Sequence, residues 1–387
     1  MEDDQGNQRP STIAPSPQRG DRKRSLNPRA IILIGIAAAL ILAVIATTIY
    51  TQFAAHRTAS PTATKVAAPN ATFSWPHAFT AAPDGSLWYS ASSLRGPAIG
   101  RVTPEGAHTE FPIPTGDAAG QMYLEAMAIG SDGATWISGE NYNNGFTSFM
   151  MRMTPGGAFT SFPLPAGLRI DKMIAGSDGA IWFMGVRDPG PEAHDSLIGR
   201  IALDGSVSTF PTLSQSKGAG LLDICVGPDK AIWYTWARSH NDVTGAGRIG
   251  RVSLSGQVKE FDVLASVIAS GSDGALWYSE IVPNTMGDML GEMRQGYIGR
   301  ITTTGDASEL PIDPSTRIRG IAAGSDGAIW YTVYGDDTGA FGRITSNGDV
   351  KTFSTGGSAQ IVFIASAPGA LWLFDSRNNL WHYRLPG

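Results

Sequence analysis

The sequence contains one cysteine, Cys225, in 387 residues. A single cysteine excludes an intrachain disulfide, and none follows the apolar N-terminal run to carry a lipid anchor. Charged residues are also scarce, at 16%, and 34 acidic residues outnumber 29 basic ones. Six of the basic residues precede residue 30, so the rest of the chain is acidic and nucleic acid is not an expected partner. Because no intrachain disulfide can form, the fold must be held together by packing alone.

Long hydrophobic runs are absent except at Ala30 to Tyr50, where 21 residues carry no charge. A helix of this length spans about 30 Å, the thickness of the hydrocarbon core of a bilayer. Basic residues crowd its N-terminal side and the first charge beyond it is Arg57, which places the N-terminus in the cytoplasm. A cleaved signal peptide is the alternative, but its apolar core is shorter, about 7–15 residues, and Phe53 to Ala55 is a poor cleavage site.

The segments on either side of this run have the composition of unfolded chain. Residues 1–29 are polar and Pro-rich, and residues 51–69 are rich in Ala, Thr, Ser and Pro. The sequence therefore predicts a disordered cytoplasmic tail at 1–29, a transmembrane helix at 30–50, a flexible linker at 51–69 and a folded domain at 70–387. We expect a single-pass protein of the cell membrane whose folded domain is extracytoplasmic.

An Asp-x-x-x-Trp motif, with glycine after the aspartate in most copies, recurs along the folded domain, with a degenerate seventh copy. The repeated tryptophans are Trp88, Trp136, Trp182, Trp233, Trp277, Trp330 and Trp372. They stand 42 to 53 residues apart, close to the length of a four-stranded propeller blade. We therefore predict an all-β fold, a seven-bladed β-propeller, preceded by one transmembrane helix.

Each repeat reads as four strands, a to d, in which the Asp-Gly pairs are hairpin turns and the tryptophans pack between blades. The Gly-Arg pairs of strand c recur too, which favours a structural role for their arginines. The last repeat ends after strand c, whereas a strand-like segment, Thr72 to Pro76, precedes the first repeat. This segment is expected to complete blade seven and so to close the ring.

The sequence Gly-Ser-Asp-Gly-Ala-Leu-Trp-Tyr-Ser-Glu at 271 to 280, followed by Tyr-Ile-Gly-Arg-Ile-Thr at 297 to 302, resembles the streptogramin B lyase (virginiamycin B lyase) family. The similarity covers about residues 70 to 387. It implies a propeller enzyme that opens the ester ring of a cyclic depsipeptide by elimination, with histidine and glutamate at the mouth of the central channel. It also implies a magnesium ion, Mg2+, as cofactor.

The resemblance also implies which residues act. His77 matches the family's Pro-His-Ala/Gly pattern at the start of strand a, and Glu280 matches its glutamate three residues after a blade tryptophan, so both are catalytic candidates. The family's second Pro-His pattern has no counterpart. His194 and His240, in predicted loops between strands b and c, are candidates to replace it in substrate binding, although solvated loop histidines are common.

The position eleven residues before each blade tryptophan breaks the repeat symmetry. Its occupants are His77, Glu125, Asp171, Leu222, Ser266, Arg319 and Ile361. Because strand a lines the channel, His77, Glu125 and Asp171 are expected to converge near one mouth. Glu125 and Asp171 are the metal-ligand candidates, and Arg319 is the candidate to hold a substrate carboxylate.

Three functions stay open from the sequence. The first is a lyase acting on a cyclic ester. The second is a non-catalytic extracytoplasmic propeller that binds a peptide, glycan or protein at the same mouth, which the membrane anchor and the missing second histidine favour. The third, a calcium propeller like sugar-lactone hydrolases, is weaker because the channel positions offer few clustered oxygen ligands. We expect a monomer with a small-molecule or peptide ligand at the mouth and the membrane as partner of the N-terminal helix.

Overall fold

The computed structural model describes residues 63–66, 78–93, 96–114, 122–142, 147–190, 193–212, 220–237, 248–279, 297–313, 316–333, 335 and 337–386. The tail at 1–29 and the predicted transmembrane helix at 30–50 lie outside these ranges. Among the described residues, no helix has the length and apolar character needed to cross a membrane.

The described residues form seven antiparallel sheets of four strands each. The innermost strands, strands a, are β2 (Phe79–Ala81), β6 (Met122–Ile129), β10 (Leu168–Ala175), β14 (Gly220–Val226), β18 (Val267–Ser270), β22 (Ile318–Ala323) and β26 (Ile361–Ala367). The strands b are β3 (Leu87–Ser93), β7 (Thr135–Asn141), β11 (Ile181–Gly190), β15 (Ile232–Ala237), β19 (Ala275–Ser279), β23 (Ile329–Val333) and β27 (Ala370–Asp375). The strands c are β4 (Gly96–Val102), β8 (Thr147–Met153), β12 (Ala193–Ile201), β16 (Arg248–Val252), β20 (Tyr297–Thr302), β24 (Ala340–Ile344) and β28 (Leu380–Arg384). The outer strands d are β5 (His108–Pro112), β9 (Phe159–Phe162), β13 (Val207–Pro211), β17 (Val258–Phe261), β21 (Ala307–Pro311), β25 (Val350–Ser354) and β1 (Thr64–Val66).

The seven sheets are the blades of a closed propeller. Each innermost strand contacts the innermost strand of the next blade, and β26 of blade seven contacts β2 of blade one. Because the strands within a blade alternate in direction, the a–b and c–d turns lie at one face and the d–a and b–c connections lie at the other. The predicted seven-bladed architecture is confirmed.

Blade seven is closed by an N-terminal strand, but not by the one that the sequence suggested. β1 pairs antiparallel with β28, with Lys65 opposite Trp381. The segment Thr72 to Pro76 lies outside the described residues. The sequence did not reveal β1 because this strand is only three residues long, which is too short to show strand alternation. It also falls within the stretch predicted as linker.

The hydrophobic core consists of seven clusters, one between each pair of neighbouring blades. In one of them Trp182 of blade three, which is fully buried, packs with Ile224 and Ile232 of blade four. Trp182 also stacks on Phe210 of its own outer strand, with ring centroids 5.4 Å apart. The predicted inter-blade role of the tryptophans is confirmed.

Each of the first six blades carries an ion pair between its hairpin aspartate and the arginine of strand c. The pairs are Asp84–Arg101, Asp132–Arg152, Asp178–Arg200, Asp229–Arg251, Asp273–Arg300 and Asp326–Arg343. In blades three to six the same aspartate also accepts a hydrogen bond from the indole N–H of the blade tryptophan, as Asp178 does from Trp182 at 3.0 Å. The arginines and the Asp-Gly turns are therefore structural, as their repetition indicated.

Candidate functional site

The candidate site lies where the strands a begin and the strands b end, at the face of the d–a and b–c connections. We call this end of the channel the mouth. In blades two, three, four and six the pairing of strand a with strand b skips one residue near this end, which is a β-bulge. The skipped residues are Glu125, Asp171, Leu222 and Arg319. A bulge re-aims a side chain out of the regular alternation and is common beside active sites.

These four are positions that the sequence singled out eleven residues before the blade tryptophan. Blade seven differs, because its pairing skips Val362 rather than Ile361. Its a–b turn is one residue shorter: Ala365 pairs with Trp372, seven residues apart, whereas Ala322 pairs with Trp330, eight apart. Ile361 therefore does not belong to the ring of bulged residues.

Asp171 is paired with Arg169, whose charge also interacts with Glu125. The Nε atom of Arg169 donates to Oδ1 of Asp171 at 2.9 Å. Burial alone would lower the pKa of Arg169, but the negative charges of Asp171, Glu140 and Glu125 raise it above its ordinary value. Burial raises the pKa of Asp171, against the opposing effect of Arg169, although 38% of its side chain is accessible. The sequence analysis did not identify Arg169, and the predicted convergence of the two carboxylates with His77 stays a prediction because His77 lies outside the described residues.

Two tyrosines extend this cluster along blade two. Tyr123 lies opposite Glu140 in the β6–β7 pairing, and it is 50% exposed. Its ring meets Tyr142 edge to face, with centroids 5.2 Å apart. The hydroxyl of Tyr142 donates to Oε2 of Glu140 at 2.6 Å, and this bond together with burial raises the pKa of Tyr142 to about 12. At neutral pH, Tyr142 is therefore a neutral hydrogen-bond donor to Glu140.

Arg319 stands on the opposite wall. In a ring of seven blades, blade six lies across the channel from blades two and three. The guanidinium carbon of Arg319 is 6.0 Å from the ring centroid of Phe363, which packs in turn on Phe79 with ring centroids 5.1 Å apart. The mouth therefore has a carboxylate-rich wall with exposed tyrosine on one side and a cationic, aromatic wall on the other.

The remaining predicted site residues are only partly placed. His77, His240 and Glu280 lie outside the described residues. His194 is in β12 rather than in a loop, because β11 and β12 continue as a long hairpin in which Gly190 pairs with Ala193. The predicted loop of blade three is thus corrected to strand.

Asp375, in blade seven, occupies the position that corresponds to Glu280. It is buried, and its carboxylate accepts from the backbone N–H groups of Arg377 and Asn379 and from the indole N–H of Trp381. Because the Asp375 carboxylate is buried and already accepts these hydrogen bonds, it is unsuited to catalysis.

Metal ligation is limited in the described part of the chain. No three histidine, cysteine, aspartate or glutamate side chains there are arranged to hold a metal ion. Asp171 is paired with Arg169, and Glu140 accepts from Tyr142. Glu125 and Asp171 alone therefore do not fit a magnesium site.

The sequence analysis missed Tyr123, Glu140, Tyr142 and Arg169. Tyr123 and Arg169 stand two residues before Glu125 and Asp171, and the even spacing along a strand was the available signal. Glu140 was not identified because it stands four residues after its blade tryptophan, whereas the family's glutamate stands three residues after.

The closed ring of seven four-stranded sheets defines a seven-bladed β-propeller with a charged channel mouth. Within it, residues 121–294 match the model of the virginiamycin B lyase family, which the chain resembles. A structure of catalytically inactive virginiamycin B lyase from Staphylococcus aureus, a histidine-to-alanine variant with quinupristin, is similar. It has 25% identity and a TM-score of 0.61, over 84% of this chain and 99% of that chain.

A streptogramin B lyase structure is similar to the same degree, with 26% identity and a TM-score of 0.60, over 84% of this chain and 97% of the other. Puromycin hydrolase, at 16% identity and a TM-score of 0.56, covers 78% of this chain and 50% of its own length, and it shares the fold alone. A comparison with curated proteins finds no match to this sequence.

Proposed function

We propose that this chain is a propeller lyase that opens a cyclic ester at the channel mouth by elimination. The observation that carries the proposal is the family match over residues 121–294, together with similarity to streptogramin B lyase structures over 84% of the chain. The mouth adds support, since Glu125, Asp171, Arg169 and Arg319 offer charge of both signs where such a substrate would enter.

The reaction needs a base and a group that stabilises negative charge. The base takes a proton from a carbon that is next to a carbonyl group and is bonded to the carbon bearing the ester oxygen. A double bond forms between these two carbons, and the bond from the second carbon to the ester oxygen breaks with its electron pair leaving on the carboxylate. The product is linear and has the mass of the substrate. We assign His77 as the base, Glu280 as the second catalytic group, and Arg319 to the departing carboxylate. His194 and His240 are assigned to substrate binding.

No step of this proposal passes through magnesium, because the described carboxylates do not form its ligand set. The experiment that tests the proposal therefore measures whether the reaction depends on magnesium. The full chain is incubated with quinupristin, once with magnesium and once with a chelator, and the products are weighed by mass spectrometry. A linear product of unchanged mass supports elimination. A product heavier by one water shows hydrolysis, and intact quinupristin in both arms contradicts the proposal for this substrate.

A second candidate is a propeller that binds its ligand without reaction. The Arg169–Asp171 ion pair favours it, because a carboxylate already held by an arginine is poorly placed as a base or a metal ligand. The exposed ring of Tyr123 offers a contact surface for a peptide or a glycan. Saturable binding of quinupristin with no product would support this function.

A further inference from the structure

Blade seven lacks the ion pair that the other six blades share. In those six, an arginine on strand c stands opposite the blade tryptophan in the b–c pairing and binds the hairpin aspartate. In blade seven, His382 stands opposite Trp372, and Pro368 takes the place four residues before the tryptophan that aspartate has elsewhere. Both members of the ion pair are therefore replaced in the blade that closes the ring.

His382 is buried next to the closing strand. It is 7% exposed, its ring centroid lies 4.6 Å from that of Trp372, and it stands opposite Thr64 in the β1–β28 pairing. Its Nε2 atom is buried and has no hydrogen-bond partner within the described part of the chain. A proton on Nε2 would thus place a charged, unsatisfied N–H in the buried space beside Trp372, which is unfavourable.

Two charged groups act on His382, and a third, on β1, lies over the neighbouring Trp381. Glu105, in the c–d turn of blade one, attracts a proton to the imidazole, and Arg384 on β28 itself repels it. On β1, the Nζ atom of Lys65 lies over the ring of Trp381, next to His382 in sequence. Burial, followed by Arg384, lowers the pKa of His382 below its ordinary value, and Glu105 only partly opposes this.

The closing strand has few contacts that could resist such a change. β1 is three residues long, and Val66 is its buried residue. Trp372 belongs to the same buried cluster as Val66, but its indole N–H donates to the carbonyl of Gly85 in the neighbouring blade one at 3.0 Å and not to β1. Short edge segments with few buried groups open locally at a lower free energy than the rest of a fold.

We propose that His382 is an acid-sensitive latch: protonation of its imidazole weakens the pairing of β1 with β28 and opens the outer edge of blade seven. The segment released in this way joins the propeller to the residues before it, including the predicted transmembrane helix. The latch is independent of the proposed lyase activity.

The direction of the pH effect follows from linkage. In the open form His382 is exposed and titrates near its ordinary value of 6.5, while in the closed form its pKa is lower. As the pH falls below about 6.5 the open form takes up the proton first, so opening becomes more favourable until the pH passes the pKa of the closed form. The opening equilibrium rises by up to about tenfold for each unit by which the two pKa values differ.

Hydrogen exchange of the full chain, followed by mass spectrometry from about pH 7.5 to about pH 5, tests the latch across the range in which histidine titrates. After correction for intrinsic exchange, the amides of Thr64–Val66 are expected to lose protection as the pH falls, while those of β25, the outer strand of blade six, keep theirs. His382→Gln, which cannot take up a proton, is expected to remove the pH dependence. His108→Gln, on β5 of blade one, is the matched control and is expected to retain it.

Unchanged protection of β1 across this range would overturn the latch. So would an equal loss in β25, or the same pH dependence in His382→Gln as in the native chain. Should His382→Gln fail to fold, the comparison of β1 with β25 in the native chain and in His108→Gln still decides, because only a latch in blade seven makes the two strands differ.

Discussion

The ring of Tyr278 occupies the space above the backbone of Gly299: a Cβ atom on Gly299 would lie 2.0 Å from Cζ of Tyr278. The two residues face each other across strands b and c of blade five. The same aromatic–glycine pair recurs in four other blades. Those pairs are Tyr89–Gly100, Phe183–Gly199, Tyr234–Gly250 and Tyr331–Gly342. The glycine of each Gly-Arg pair is thus required by the aromatic residue that follows the blade tryptophan.

Gly299→Ala is therefore expected to destabilise the propeller by about 2–3 kcal/mol, because the buried ring of Tyr278 must leave its place. Gly156→Ala is the control, since the nearest atom to its added Cβ lies 3.9 Å away. Urea unfolding of the full chain at neutral pH measures both free energies. Equal stability of the two variants would contradict the packing described for blade five.

We expect the hairpin aspartates to make the folded protein less stable in acid. For Asp178, burial alone would raise the pKa, but hydrogen bonds from Arg200, Trp182 and the N–H of Ala180 bring it below the ordinary value of 3.8. The pKa is lowered in the same direction at Asp84, Asp132, Asp229 and Asp273.

Because these folded-state pKa values are depressed, the stabilisation is fully present above about pH 4 and is lost as the pH falls through the folded values. Thermal unfolding measured from pH 5 to pH 2 should show this loss. Asp178→Asn should be less stable at pH 5 and show a weaker dependence on pH. A native chain equally stable at pH 2 and pH 5 would count against the ion pairs.

Asp223 connects three neighbouring blades at the channel. It is buried, binds Lys172 of blade three, and accepts the N–H of Ile268 in blade five at 2.9 Å. Asp223→Ala leaves these donors unsatisfied, so we expect a loss of about 3 kcal/mol in the free energy of unfolding.

Asp262→Ala is the control for Asp223. It removes the Arg248–Asp262 pair, whose aspartate is 88% exposed, and it should change the free energy of unfolding by less than about 1 kcal/mol. Chemical unfolding of the two variants side by side makes the comparison. If Asp223→Ala changes the free energy of unfolding as little as Asp262→Ala does, the inner strands do not depend on the contacts of Asp223.

The two walls of the mouth should both matter for turnover. Glu125→Gln and Arg319→Gln each remove one charge and are expected to lower kcat/KM for quinupristin by about 10- to 100-fold without changing the unfolding midpoint. Glu309→Gln, on the outer strand β21, is the matched control and should be unchanged. Unaltered kinetics in both mouth variants would place the reaction elsewhere.

The number of blades was predictable because each blade needs one hairpin and one inter-blade tryptophan, and both leave a motif in the sequence. The closing strand was not, because Thr64–Val66 carries no alternating pattern and its partner β28 is more than 300 residues away. Its identity depends on ring closure, which is a property of the whole fold.

The candidate site was partly predictable for a similar reason. Comparison of the repeats identified Glu125, Asp171 and Arg319, since each differs from the residues at the equivalent position in other blades. It could not show that these residues sit at β-bulges, because a bulge depends on strand pairing. Nor could it show that Arg169 binds Asp171, because even spacing along a strand indicates a shared face but not which side chains pair.

The central claim is that the channel mouth carries a lyase activity, and the most direct measurement is the rate of quinupristin opening by the full chain and by His77→Ala. His108→Ala, on an outer strand, is the control. The account predicts a linear product of unchanged mass from the native chain and from His108→Ala, and its loss in His77→Ala. Equal product from His77→Ala, or no product from the native chain, would contradict it.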